Sequence, residues 1–251
     1  MRYGKFLTYL PVENVMLPQA TLTKLPLFKD IRLSSLTSIT RAAKSIFPRK
    51  GRIFYNGLDE NKTRYFYYII KGLVKIFTLS ADGVEINRDI LANDQYFNEE
   101  LLWKDRAENL YAQAMADGQV IIIPIPILKQ ELTQDAQLAL NFLQQSLRKQ
   151  AELTHALEHL AIQNAAQRIG CFLLRLCPGT QFRSHTLHIP YSKTLVATQL
   201  GMCPETFSRA LLKLSKACCL KTNGENIHIP TVESLSQYVC KQCSLSYPCH
   251  L

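Results

Sequence analysis

Glu205, Ser208 and Arg209 are spaced by three and four, the repeat that puts side chains on one face of a helix. A guanidinium can donate two hydrogen bonds to guanine O6 and N7, and a carboxylate can accept from a cytosine amino group. The short Ser208 side chain suits a base edge or a thymine methyl. Lys193, Lys213 and Lys216 suit phosphate contacts, which position a protein on a duplex without specifying sequence. A second group of reactive side chains lies in the last twelve residues. Cys240, Cys243 and Cys249 form C-x2-C-x5-C, with His250 beside the last thiol. Three such thiolates can hold three corners of an iron–sulfur cluster or, with His250, a tetrahedral zinc; redox thiols are a further reading.

The elements that must carry the first group are legible around it. Tyr191 to Lys213 reads as two short helices and a tight turn. Ser192 is an N-cap candidate, and Leu195, Val196 and Leu200 fall at helical spacing. Ala197 is small enough for a close crossing, and Gly201 supplies the backbone freedom of a sharp interhelical turn. Pro204 opens the second helix, where its missing N–H costs nothing. Phe207, Leu211 and Leu214 form that helix's inner face, opposite Glu205, Ser208 and Arg209. Leu187 to Ile189 alternates as a strand leading in. Leu220, Thr222-Asn223-Gly224-Glu225, Ile227 and Ile229 read as a hairpin with an Asn-Gly turn. Strand, helix pair and hairpin make a winged helix-turn-helix, whose second helix enters the major groove.

The run from Leu200 to Arg209, LGMCPETFSR, resembles the recognition signature of the Crp/Fnr superfamily of bacterial transcription regulators. The resemblance rests on the Glu-Thr-x-Ser-Arg core, the Leu-Gly before it and the Leu pair after it. It implies DNA contacts from Glu205, Thr206, Ser208 and Arg209. Glu-x-x-Ser-Arg resembles the Fnr branch, which implies an inverted repeat of TTGAT-like half-sites, with RNA polymerase as a further partner. The tail is similar to that of Gram-positive Fnr proteins, whose C-terminal cysteines and one carboxylate hold a 4Fe-4S cluster; the last spacing here differs by one residue. The fourth ligand stays open among Glu152, His155, Glu158, His159 and His250. Glu152, His155 and His159 share one helical face.

From Gly51 to Ile127 short strands of Ile, Tyr, Phe and Val alternate with turns at Asn56-Gly57, Lys71-Gly72, Asp82-Gly83 and Asp117-Gly118, the pattern of an antiparallel barrel or sandwich. Arg64 to Ile76 and Asp82-Gly83-Val84-Glu85 resemble the superfamily's double-stranded barrel, which often holds a cyclic nucleotide. Its usual pocket pairs Phe-Gly-Glu with Arg-Ser. This chain has Phe97-Asn98-Glu99 and, at the Arg-Ser positions, Glu108 and Asn109, with Arg106 close by. A carboxylate facing a phosphate is repulsive, so cyclic-nucleotide binding is not expected. A short helical stretch from Leu27 through Ala43 precedes the barrel. From Leu128 to about Leu160 the period turns helical again. Leu140, Leu143, Leu147, Gln150, Thr154 and Leu157 then make a 3-4 stripe, the seam of a two-stranded coiled coil and hence of a homodimer.

The resulting expectation is an α+β chain. It comprises a cyclic-nucleotide-binding-like double-stranded β-barrel over 1–127, a dimerisation helix over 128–162, a winged helix-turn-helix over 163–238 and a cysteine-rich tail over 239–251. The formal charge is +9, and from Gln163 onward nine Lys/Arg stand against three Asp/Glu. Localised positive charge favours a polyanion, and its scatter through a globular pattern points to double-stranded DNA and not to a membrane. No apolar run approaches about 20 residues, and the first residues make a poor secretion signal, so the expected location is the cytoplasm and the eight cysteines are expected reduced or metal-bound. Cys171, Cys177, Cys218 and Cys219 read as core, and Cys203 opens the recognition helix. No Gly-rich phosphate loop or nucleophile elbow occurs. His155-x3-His159 has Ala156 where a zinc protease needs glutamate, so no enzyme is expected.

Overall fold

The structure, a computed structural model, describes residues 15–16, 18–57, 64–104, 110–177, 184–188 and 193–240. The chain divides into two compact units, Met1–Ser146 and Leu147–Leu251. In the first, β1 (Val15–Met16), α1 (Gln19–Leu22) and α2 (Leu33–Ala42) precede β2 (Lys44–Ile46), β3 (Ile53–Asn56), β4 (Tyr65–Lys71) and β5 (Val74–Leu79). Then come β6 (Glu85–Leu91), β7 (Tyr96–Phe97), β8 (Tyr111–Ala114), β9 (Gln119–Pro124), α3 (Ile125–Gln134) and α4 (Ala136–Ile162), which runs on into the second unit. The strands form two antiparallel sheets, ordered β1-β2-β9-β4-β7 and β3-β8-β5-β6.

Strand periodicity explains the layering. On β4, Tyr67 and Ile69 point between the sheets and meet Val74, Ile76, Phe97, Ala112 and Ile122. Phe66 and Tyr68 point the other way, under Leu36, Ile39, Leu128 and Leu138 of the helices. Tyr67 and Phe97 stack at 4.5 Å between ring centroids, and Tyr55 meets both edge-on. Burial pushes the Tyr68 phenol well above its ordinary value, and Asp94, which accepts its hydrogen bond at 3.2 Å, adds to the shift.

Two expectations about helices change. The stretch from Leu27 through Ala43 is a single turn at Pro26–Phe28 followed by α2. The helix expected to begin near Leu128 is two helices, because Asp135 stops α3 and starts α4. Its Oδ1 accepts from the backbone N–H groups of Gln137 (3.0 Å) and Leu138 (3.2 Å), and Oδ2 from that of Arg32 at 2.7 Å. Along α4 the apolar stripe faces solvent. Leu140, Leu143, Leu147 and Leu157 are each more than half exposed, and Leu153 and Leu160 extend the row.

In the second unit the remainder of α4 is followed by α5 (Ala165–Leu176), β10 (His185–His188), α6 (Lys193–Gln199), α7 (Pro204–Cys218), β11 (Lys221–Asn223), β12 (Asn226–Ile229) and α8 (Val232–Val239). Asn164 and Gln167 cap α5 reciprocally: Asn164 Oδ1 accepts from Ala166 and Gln167 N–H, while Gln167 Oε1 accepts from Asn164 N–H. The three strands form one antiparallel sheet in the order β10-β12-β11. Ile169, Leu173, Leu195, Val196, Leu214, Ile229, Val232 and Leu235 are buried in this unit.

Candidate nucleic-acid interface

Helix α7 is held by its apolar face. Phe207, Ala210, Leu211 and Leu214 are buried, so the opposite face presents Glu205, Ser208, Arg209, Leu212, Lys213 and Lys216 to solvent, with Thr206 half-buried. Helix α6 crosses it with Leu195, Val196 and Ala197 buried and Lys193 exposed at its start. The link between them is tight. Gly201 adopts φ +64°, and the amides of Leu200, Gly201 and Met202 return to the carbonyls of Val196, Thr198 and Ala197 at 3.0 Å each. The N-cap candidate Ser192 lies outside the described residues.

At the start of α7 the chemistry is oriented. Glu205's own backbone N–H, the Cys203 thiol and the Arg209 guanidinium hold its carboxyl below the usual carboxylate range, so at neutral pH it is an anion and purely an acceptor. Cys203 occupies the N-cap, its Sγ 3.1 Å from Thr206 Oγ1. Ser208 Oγ donates to the Pro204 carbonyl at 3.0 Å. Its outward character is therefore that of an acceptor, which suits an amino-bearing base edge. Arg209 is exposed with its donors in reach of a ligand.

The hairpin forms, with its turn one residue later than expected. Asn223 pairs with Asn226, so the two loop residues are Gly224 and Glu225, with Gly224 at φ +59°. Glycine at the first loop position is the requirement of a Gly-X hairpin turn, and pairing register decided it over the Asn-Gly dipeptide. Lys221 stands exposed on β11. The sequence reading passed over it, although a lysine on a wing strand beside a basic helix is itself a phosphate-contact signal.

Cys171, Cys177 and Cys218 are buried, as expected of core thiols, and burial pushes Cys177 and Cys218 up. Cys219 is not core. It takes the left-handed C-cap of α7 at φ +55° and is exposed.

Of the tail, Cys240 is described, half-buried just after α8; Cys243, Cys249 and His250 lie outside the described residues. The helix candidates for a fourth ligand already have neighbours. Glu152 accepts from Arg148 at 3.2 Å, His155 Nδ1 is 3.2 Å from Glu158 Oε2, and buried His159 lies 3.8 Å from Cys171 Sγ. Among the described residues no three His, Cys, Asp or Glu side chains gather closely enough to hold a metal. In the barrel, Asn98 takes the left-handed conformation at φ +68° that glycine would otherwise occupy, and its Nδ2 donates to the Tyr65 carbonyl. Arg106, Glu108 and Asn109 lie outside the described residues.

A family model described as the Crp-like helix-turn-helix domain matches residues 167–238. Along more of the chain, the "Probable transcriptional regulator flp" of Lacticaseibacillus casei is 23% identical over 213 residues, 85% of this chain and 95% of that protein. The "Global nitrogen regulator" of Synechococcus elongatus is 26% identical over 196 residues, 76% of this chain and 87% of that protein. The structure of FixK2 from Bradyrhizobium japonicum superposes with a TM-score of 0.61 at 23% identity, over 78% of this chain and 96% of that one. Residues 167–238 thus match the Crp-like helix-turn-helix domain, and the chain has a mixed α+β, Crp-like cyclic-nucleotide-binding fold with N-terminal β-sheets, helices and a C-terminal helix-turn-helix.

Proposed function

We propose that this chain is a homodimeric, sequence-specific DNA-binding transcription regulator of Crp/Fnr type that reads TTGAT-like inverted repeats. The observation that carries the reading is the solvent face of α7, where Glu205, Ser208 and Arg209 project from a Crp-like helix-turn-helix. Arg209 pairs with a guanine, Glu205 accepts from a cytosine amino group, and Thr206 and Ser208 complete the base-facing turn. Lys193, Lys213 and the wing's Lys221 hold phosphates. The exposed leucine stripe of α4 is the dimer seam, which sets the two recognition helices about 34 Å apart, one turn of DNA. RNA polymerase is the further partner, and the cytoplasm the location. Among the described residues no helix is long and apolar enough to cross a membrane.

Arg209→Ala tests the reading. Losing a bidentate base contact worth about 1–3 kcal/mol weakens a matched site about 5- to 150-fold per half-site and a site already mismatched at that base far less. Equal weakening on every sequence contradicts a base contact.

The tail is the sensor in this reading. Cys240, Cys243 and Cys249 with one further ligand would hold a 4Fe-4S cluster responsive to oxygen, redox state or nitric oxide; zinc is the alternative occupant. The C-x2-C-x5-C spacing at the end of α8 supports it. Absorption with iron and sulfide analysis after anaerobic purification is the check. An iron-free protein that binds DNA equally in air and without it excludes the sensor. A second reading, a small-molecule effector in the barrel, is favoured by Asn98 Oδ1, which is buried and has no hydrogen-bond partner among the described residues. Regulation that survives removal of the tail would select it.

A further inference from the structure

Leu212 breaks the pattern of the helix that carries it. In α7 the apolar side chains of Phe207, Leu211 and Leu214 are buried, whereas Leu212 is 59% exposed. Among the described residues from 193 to 240 it is the one large apolar side chain left exposed. Single leucines on a protein surface are ordinary, but this one does not stand at the margin of the buried face. At about 3.6 residues per turn its direction falls between those of Ser208 and Arg209, opposite Phe207 and Leu214. Glu205, Ser208, Arg209 and Leu212 therefore form one ridge at i, i+3, i+4 and i+7. The recognition helix of a homeodomain presents its base-reading residues at that same spacing. Exposed Lys213 and Lys216 flank the ridge.

The other members of the ridge offer charge and hydrogen bonds. Leu212 has neither, so it gains only by leaving water against an apolar group. In the major groove that group is the C5-methyl of thymine. Three residues beyond Arg209 is about 4.5 Å along the helix axis, close to the base-pair spacing of about 3.4 Å. We infer that Leu212 packs against a thymine C5-methyl in each half-site, within about two base pairs of the guanine paired by Arg209, and so selects A·T there. The inference rests on the DNA-binding reading above. A TTGAT half-site suits it, because every base pair beside its single G·C is A·T and carries a methyl on one strand or the other. A protein partner is disfavoured as the occupant. Leu212 stands alone among Glu205, Arg209, Lys213 and Lys216, whereas the core of a protein interface is depleted of charge.

The test measures binding of the full chain, by fluorescence anisotropy, to a duplex carrying the TTGAT inverted repeat. A series of duplexes replaces one thymine of each half-site, on either strand, by deoxyuridine. That change removes the methyl and leaves the hydrogen-bonding edge as it was. The wild type is expected to weaken at one position of the series by about fourfold per half-site, the loss of one buried methyl, and so by about 15-fold for the symmetric pair. Leu212→Ala is expected to bind the unmodified operator more weakly and to lose its sensitivity at that position alone. Leu212→Met, apolar and of similar volume, should keep it. Both variants should retain the wild-type penalty for replacing the guanine, which separates this contact from that of Arg209. Three results overturn the inference and leave the operator reading standing: a wild type that senses no uracil, a Leu212→Ala variant with the wild-type profile, or one weakened alike on every duplex. A wild type that binds the repeat no better than random duplex takes down both.

Discussion

Arg209 and Glu205 lie one helical turn apart, and their opposite charges do two things at once. Arg209 helps to keep the Glu205 carboxyl ionised, and each offers a base a group that the other cannot. The planar fork of arginine matters here more than its charge. Arg209→Lys keeps the charge and so keeps the salt dependence of non-specific binding. It is expected to lose about tenfold in affinity for the matched operator, because an ammonium cannot reproduce the fork. Competition anisotropy with operator and random duplex checks this; a lysine variant with unaltered operator preference contradicts it. These residues were legible in the sequence because a Glu-x-x-Ser-Arg face opposite Phe207, Leu211 and Leu214 admits one orientation of the helix. The acceptor role of Ser208 was not, since it depends on a hydrogen bond to the Pro204 carbonyl that only the folded first turn creates.

At the level of elements, two close fits set the stability. Asp135 joins the start of α4 to Arg32, the N-cap residue of α2. Burial pushes its carboxyl up, but the hydrogen bonds from Arg32, Leu138, Ser35 and Gln137 outweigh that and hold it below the ordinary value of 3.8. Because the folded pKa is the lower one, the stabilisation is complete above the unfolded value and is lost as pH falls through the folded value. Asp135→Ala is expected to cost about 1–3 kcal/mol at neutral pH. Urea denaturation of wild type and variant should converge at strongly acid pH; a gap that stays constant down the acid range contradicts the capping role. Gly170 is the second fit. A methyl there would press into Val239 Cγ2 and Leu235 Cδ1 of α8. Alanine gains up to about 1 kcal/mol of helix propensity, but overpacking costs about 1–3 kcal/mol. Gly170→Ala is therefore expected to lower the melting temperature, and a rise would show that α8 shifts freely.

The same elements show where sequence stops short. The apolar period runs unbroken from Leu128 past Leu138, so the helix break at Asp135 left no mark except an aspartate in N-cap position. The wing turn moved by one residue because strand pairing, a non-local term, outranked a favourable dipeptide. Cys219 lay next to Leu220 and read as core, yet a helix end in left-handed geometry turns it outward.

At the level of the molecule, the exposed leucines of α4 are an unfinished core. Leu143 and Leu147 are more than half exposed, and burying a leucine gains about 1.5–3 kcal/mol. Leu147→Lys is expected to shift the chain to monomer in sedimentation velocity and to cost the affinity gained by engaging two half-sites at once. A variant that stays dimeric contradicts the seam. The barrel's strands and turns were readable from alternation and glycine placement, whereas the burial and left-handed backbone of Asn98, which alternation does not report, were not.

The central claim is that a dimer reads a symmetric duplex through the solvent face of α7. Selection of bound sequences from a random duplex pool by the purified chain tests it most directly. The account predicts enrichment of an inverted repeat whose half-sites are centred about 10 bp apart, with a guanine in each half-site that Arg209→Ala no longer selects. A pool that stays random, or enriches no palindrome, contradicts it.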